Sequence, residues 1–229
     1  MKNWLVTALI ALVFGFAGAG LFSLSGLSHQ ATRSYLVAHP EILPQMADAY
    51  QRRETETRLA GLTGEVTQAF PGAVLGNPNG KRTLVKFTDY GCTYCRASMP
   101  DVDRLIAEDK DLKVVIREWP IFEGSEHAAR MGLAAARQGK FAAYYHAMFE
   151  QGPPSEETIA RAGQAAGLDM AAAEAFAKSE QATAALAANS AYANQLGFTG
   201  TPSWIAGKRI LQGYVGHDRL ADALADEAG

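Results

Sequence analysis

The chain has 229 residues, of which 48% are hydrophobic and 20% charged, with a formal net charge of −3. That length allows one large domain or two small ones. A net negative charge without a basic stripe excludes a nucleic-acid partner, and two cysteines in all exclude a disulfide scaffold.

Lys2 is followed by a charge-free stretch from Trp4 through Leu27 that is mostly apolar as far as Phe22. Ala17-Gly18-Ala19 fits the small-residue cleavage site of a secretory signal peptide. At about 19 residues the run is also long enough to span a bilayer. Ala11, Gly15 and Ala19 place a small residue at every fourth position, as helices packed in membranes do. Residues 1–27 are therefore read as a signal peptide or a membrane anchor. Either sends the rest of the chain to the periplasm or cell envelope, where thiol–disulfide chemistry is useful.

Residues 28–70 read as a separate helical region. Pro40 can occupy a first helical turn, whereas Pro44 breaks or restarts the helix. The stretch Gln51 to Arg58 is polar and charged, and Leu36, Ile42, Leu43, Met46, Tyr50 and Leu59 are too few for a core of their own. The region is either a stalk or an amphipathic segment, 33–59, that pairs with a second copy of the chain.

Residues 71–229 form the main domain. A short strand at Ala73-Val74-Leu75 leads into the turn residues Gly76-Asn77-Pro78-Asn79-Gly80. Thr83 to Thr88 is a buried central strand, and Gly91 ends the turn after it. Met99, Val102, Leu105 and Ile106 then recur at helical spacing, predicting a helix over Thr93 to Asp109 with a kink at Pro100. Leu112 to Arg117 is the next strand, so the order is β-β-α-β with a helical crossover between parallel strands. From about 124 to 196 the chain becomes alanine-rich helix. Ser125 is expected to cap the first helix of this block, which ends near Gly139, and Lys140 to Glu150 is the second. Ser155 caps the third, which Gly167 closes. Leu168 to Ala177 and Glu180 to Leu196 complete the block, which reads as a lid or flank inserted between strands. Strand returns at Gly197 to Ile205. Gly207-Lys208 turns into Arg209 to Gln212, and His217 to Ala228 closes the domain as a helix.

The chemistry lies in Cys92-Thr93-Tyr94-Cys95. A cysteine at a helix start faces unpaired backbone N–H groups, which favour the thiolate, the attacking species in disulfide exchange. Cys95 lies on the same helical face within reach of Cys92. A structural disulfide closing so short a loop would contribute only about 2 kcal/mol, against about 4.7 for a loop of about 100 residues. A structural zinc site takes four ligands, and the histidines (His29, His39, His127, His146, His217) are scattered singly. His127 and His146 read as ordinary helix residues. Redox chemistry leads. Binding of copper or zinc through the same two cysteines, bridged across two chains, is the alternative from another class. Asp89, three residues before Cys92, either caps the turn or carries a proton to or from Cys95.

Two separated motifs and the insertion carry a resemblance to a known family. Phe87-Thr88-Asp89-Tyr90-Gly91-Cys92-Thr93-Tyr94-Cys95, the helical block after Leu112 to Arg117, and Gly200-Thr201-Pro202-Ser203 resemble the DsbA-like branch of the thioredoxin superfamily over about Gly72 to Ala228. The helical region before the core is similar to that of ScsC-type and Com1-type members. The resemblance implies an α/β thioredoxin-like fold with an inserted helical domain and no cofactor. It implies a protein thiol–disulfide oxidoreductase acting on cysteines of protein substrates, recycled by a membrane redox partner. Cys92 would be the nucleophile and Cys95 the resolving thiol. Thr201-Pro202 would carry a cis peptide facing them, with the Thr201 backbone free to pair with an extended substrate. Thr93-Tyr94 replaces the Pro-His of the oxidant DsbA and is similar to the dipeptide of isomerases such as DsbC, which implies a less oxidising pair.

Overall fold

The computed structural model describes residues 3–24 and 27–225. The end of the expected closing helix, 226–228, lies outside the described residues. The chain divides into two compact units, Met1–Gln51 and Arg52–Gly229.

The first unit holds α1 (Asn3–Leu24), α2 (Leu27–Ala38) and most of α3 (Ile42–Leu59). Among the described residues no helix is long and apolar enough to cross a membrane. A retained anchor is therefore not supported. Pro40 sits in the turn between α2 and α3, and Pro44 falls in the first turn of α3, where a missing N–H costs nothing. Tyr35, Val37, Leu43, Met46 and Tyr50 are exposed.

The second unit continues with α4 (Thr63–Val66), β1 (Val74–Gly76), β2 (Arg82–Thr88), α5 (Thr93–Ala97), α6 (Met99–Glu108) and β3 (Leu112–Glu118). The helical block follows as α7 (Ser125–Arg137), α8 (Phe141–Gln151), α9 (Glu156–Ala165), α10 (Met170–Ala177) and α11 (Glu180–Gln195). The chain then returns to β4 (Ser203–Ala206) and β5 (Arg209–Gln212) and ends in α12 (His217–Ala225). The five strands lie in the order β1-β3-β2-β4-β5. β2 pairs parallel with β3 and antiparallel with β4, so it is central.

Alternation along β2 separates two cores. Leu84 joins Val114, Ile116 and Trp204 on the face covered by α6, α7, α8 and α12. Val85 and Phe87 join Val115, Ile205, Leu196 and Phe198 on the other. Leu59 and Val66 are buried in that second core. Leu59 therefore belongs to the catalytic unit and not to a partner surface, because its side chain covers the sheet.

Two local expectations change. The helix over 93–109 is two helices meeting at Ser98, which ends α5 and starts α6. Pro100 falls in the first turn of α6, where its ring fits without a kink. Gly124, at a φ of 81°, occupies the N-cap of α7. Ser125 is the first helical residue and makes no cap. Ser155 does cap α9, in a reciprocal box with Thr158.

Candidate active site

The parallel β2–β3 pair delivers the turn 89–92 and the loop 119–124 to the same end of the strands, and the entry to β4 brings Thr201-Pro202 beside them. Cys92 is the N-cap of α5, with extended backbone (φ −82°, ψ 116°), and its sulfur accepts the Cys95 N–H at 3.3 Å. Its sulfur lies 3.1 Å from the Thr201 carbonyl oxygen, to which it donates only in its thiol form. The Thr201–Pro202 peptide is cis. Both cysteines are free thiols. Cys92 is only 3% exposed and Cys95 fully buried, so Cys92 is more covered than a helix-start position suggests.

The two thiols diverge electrostatically. The hydrogen bond from the Cys95 thiol lowers Cys92 to about 6; burial opposes it, and the Thr201 side chain and the Cys95 and Tyr94 backbone N–H groups assist. Burial pushes Cys95 far up. The hydrogen bond that it gives to Cys92 adds to this, and the Lys86 cation opposes it. Cys92 is therefore thiolate at neutral pH and Cys95 thiol. Thr93 and Tyr94 are exposed, Tyr94 by 63%; they reach Cys92 through backbone rather than side chains.

Asp89 is 1% exposed and fully engaged. Its Oδ1 accepts the Gly91 N–H at 2.7 Å, and its Oδ2 accepts the Ile121 and Phe122 N–H groups at 2.6 and 2.8 Å. His127 bridges Glu156 and Glu174 within the helical block, and His146 meets Asp103, so both are held by carboxylates of helices rather than by the cysteine pair. Among the described residues no group of three or more His, Cys, Asp or Glu is placed to hold a metal ion.

Two buried charged residues of the site escaped the sequence reading. Lys86 lies on the Leu84 face of β2, with Nζ 3.4 Å from the Cys95 carbonyl oxygen and 5.1, 5.6 and 5.8 Å from the ring centres of Trp204, Tyr145 and Phe149. Burial lowers its ammonium to about 8, against the pull of Cys95 and Cys92. Glu118, paired in register with Thr88, accepts the Tyr90 hydroxyl at 2.8 Å, and its other oxygen has no partner. Burial raises its carboxyl well above the usual range, and the Tyr90 hydrogen bond opposes the shift. A Cβ at Gly132 would stand 2.9 Å from Glu118 Oε1 and 3.0 Å from Tyr90 Oη, so only glycine leaves room for that bond. The signal was present in Thr83-Leu84-Val85-Lys86-Phe87-Thr88: a lysine inside a strand buried on both faces is rarely without a role.

The model of the DSBA-like thioredoxin domain matches residues 83–225, and that of the N-terminal domain of copper resistance protein ScsC matches residues 29–56. A thioredoxin-like oxidoreductase from Silicibacter pomeroyi DSS-3 is 40% identical over 68% of this chain and 90% of its own, with a TM-score of 0.64. A periplasmic thioredoxin-like protein from Salmonella enterica serovar Typhimurium is 26% identical over 72% of this chain and 95% of its own, at a TM-score of 0.63. ScsC from Proteus mirabilis in a transitional conformation shares the fold at 24% identity, over 86% of this chain and 93% of its own, at a TM-score of 0.67. No curated protein matches the chain. With the domain model spanning most of the chain and the Cys-x-x-Cys pair at the end of its central strand, the chain belongs to the DSBA-like thioredoxin domain family and is a thiol–disulfide oxidoreductase.

Proposed function

We propose that the protein is exported and exchanges disulfides in proteins of the cell envelope, with Cys92 as the nucleophile and Cys95 as the resolving thiol. The observation that carries this reading is the opposite displacement of the two thiols, with Cys92 Sγ held by the Cys95 backbone N–H at 3.3 Å and 3.1 Å from the Thr201 carbonyl oxygen. In the oxidising direction, a substrate thiolate attacks the Cys92 sulfur of the Cys92–Cys95 disulfide. The sulfur–sulfur bond breaks and Cys95 leaves with the electron pair, taking up a proton. A second substrate thiolate then attacks the substrate sulfur of the mixed disulfide and releases Cys92 as thiolate. The substrate loses two electrons and the Cys pair gains them, so a membrane redox partner must remove them in turn. In the isomerising direction, the Cys92 thiolate opens a wrong disulfide and is displaced by another substrate thiol with no net electron transfer.

Export is supported by α1, where Trp4, Leu9, Leu12, Phe14 and Phe16 are exposed on a helix without charge. Such a surface is untenable in water, and it fits a leader that is removed. Self-association through 33–50 is supported by the exposed Tyr35, Val37, Leu43, Met46 and Tyr50. Copies sharing a cleft favour isomerase action, as does the Thr93-Tyr94 dipeptide. The test is oxidation of a dithiol peptide and insulin reduction beside refolding of a substrate with scrambled disulfides. Activity in the second assay that Cys92→Ser abolishes supports isomerisation; activity in dithiol oxidation alone assigns the protein as an oxidase.

A further inference from the structure

Asp89 commits its whole carboxylate to backbone. With the turn before Cys92 it anchors the loop that leads from β3 to α7. Trp119 N–H donates to the Thr88 carbonyl, Pro120 has no N–H, Ile121 and Phe122 donate to Asp89, and Ser125 donates to the Phe122 carbonyl. The same carboxylate accepts from Gly91, and the Asp89 carbonyl oxygen accepts the Cys92 N–H at 3.1 Å. Bonds of this kind to a buried carboxylate are strong and directional.

This fastening has an unusual product. Ile121 and Phe122 have fixed backbones but wet side chains, exposed by 43% and 49%. Phe122 stands beside the residue that precedes Cys92: a Cβ at Gly91 would lie 3.2 Å from the Phe122 Cβ and 2.8 Å from Ser125 Oγ, and Ile121 is its neighbour in the loop. Exposed Tyr94 lies on the other side of Cys92 in sequence. An anchored loop that holds apolar side chains in water gains nothing for the fold from their exposure. It does offer a preformed contact to whatever polypeptide reaches Cys92.

We propose that Asp89 is a positioning residue that ties the 119–124 loop to the turn before Cys92, so that Ile121 and Phe122 receive a large apolar side chain adjoining the reacting cysteine of the substrate polypeptide. The proposal rests on the oxidoreductase reading and adds substrate selection to it. With its oxygens already taken by three N–H groups, Asp89 holds the loop and is not the proton carrier for Cys95.

The test uses the oxidised full chain and three reductants: two dithiol peptides that differ only in phenylalanine or serine beside one cysteine, and glutathione, which has no such side chain. The expected result is a kcat/KM about tenfold higher for the phenylalanine peptide. Phe122→Ala removes most of that preference. Asp89→Ala also removes it, chiefly through KM, and costs more on the phenylalanine peptide than on glutathione. Asp89→Asn, which keeps one acceptor oxygen, retains part of the preference and the same shape of pH profile. An equal loss on all three reductants in Asp89→Ala, or a limb missing from the Asp89→Asn pH profile, overturns the positioning role. If Asp89→Ala does not fold, the half-exposed Phe122 decides: a preference that survives Phe122→Ala overturns the subsite. A wild-type chain that reacts with glutathione but treats both peptides alike overturns this proposal only. One inert to all three overturns the oxidoreductase reading and this proposal with it.

Discussion

Cys92 and Cys95 lie three residues apart, yet their surroundings drive their thiols in opposite directions. The Cys92 thiol, held down by the Cys95 hydrogen bond, should titrate near pH 6 in the reduced protein, read by thiolate absorbance or by the rate of alkylation. Because the folded value is depressed, its contribution to the stability of the reduced form is complete above the ordinary cysteine value of about 8.5 and is lost as pH falls through about 6. Cys92→Ser should abolish exchange, and Cys95→Ser should trap mixed disulfides with substrate proteins, visible as adducts on non-reducing gels. Equal trapping by both variants would reverse the assignment. Lys86 sets stability against function. Burial favours its neutral form, so below pH 8 the folded domain carries a desolvated cation. Lys86→Met should stabilise the domain at pH 7 by up to about 3 kcal/mol in urea unfolding, with the gain shrinking between about pH 8 and 10.5. The same variant should slow resolution of the mixed disulfide, because it removes the cation that opposes protonation of Cys95.

At the scale of elements, β3 supplies a brace through Arg117. Its Nε and Nη2 donate to the carbonyl oxygens of Glu65, Val66 and Gln68, its Nη1 donates to Asn189 on α11, and the guanidinium lies 5.2 Å from the Tyr192 ring centre. One side chain thus ties α4 and the last helix of the insertion to the sheet. Arg117→Leu leaves several carbonyl oxygens and the Asn189 amide without a donor. It should cost about 3–5 kcal/mol, measured by denaturant unfolding. A loss below about 1 kcal/mol would show that water replaces the guanidinium at those carbonyls.

For the whole molecule, the burial of Leu59 and Val66 decides where the chain can be cut. Removal through Phe70 strips the second core and the carbonyl partners of Arg117, so the shortened protein should be unstable for reasons unrelated to assembly. Removal through Gln51 spares both. The chain from Ser28 onward is expected to sediment as a dimer or trimer and the chain from Arg52 onward as a monomer. The monomer should keep dithiol oxidation and lose most isomerase activity. Leaving Val37, Leu43 and Met46 in water forfeits roughly 1.5–3 kcal/mol per side chain relative to burial, which is the drive for association. A monomer at tens of micromolar from the longer chain would remove the assembly and with it the main reason for favouring isomerisation.

Sequence alone determined the strand order β-β-α-β, the helical block from 124 to 196 and the Cys-x-x-Cys at a helix start. These depend on local periodicity, on caps such as Ser155, and on glycine and proline as chain punctuation, all of which act within a few residues. Tertiary structure decided what depends on residues far apart in the chain. Asp89 could cap or carry a proton until its second oxygen met Ile121 and Phe122, some thirty residues on. Leu59 read as a free apolar residue until Val85 and Phe87 covered it. Lys86 read as one polar position in a strand until the rings of Trp204, Tyr145 and Phe149 closed around it. Burial is a property of the packed chain, and the charge of a thiol, an amine or a carboxyl follows burial. The Cys-x-x-Cys pair was therefore legible in the sequence, whereas the buried groups that surround it and shift its protonation were not.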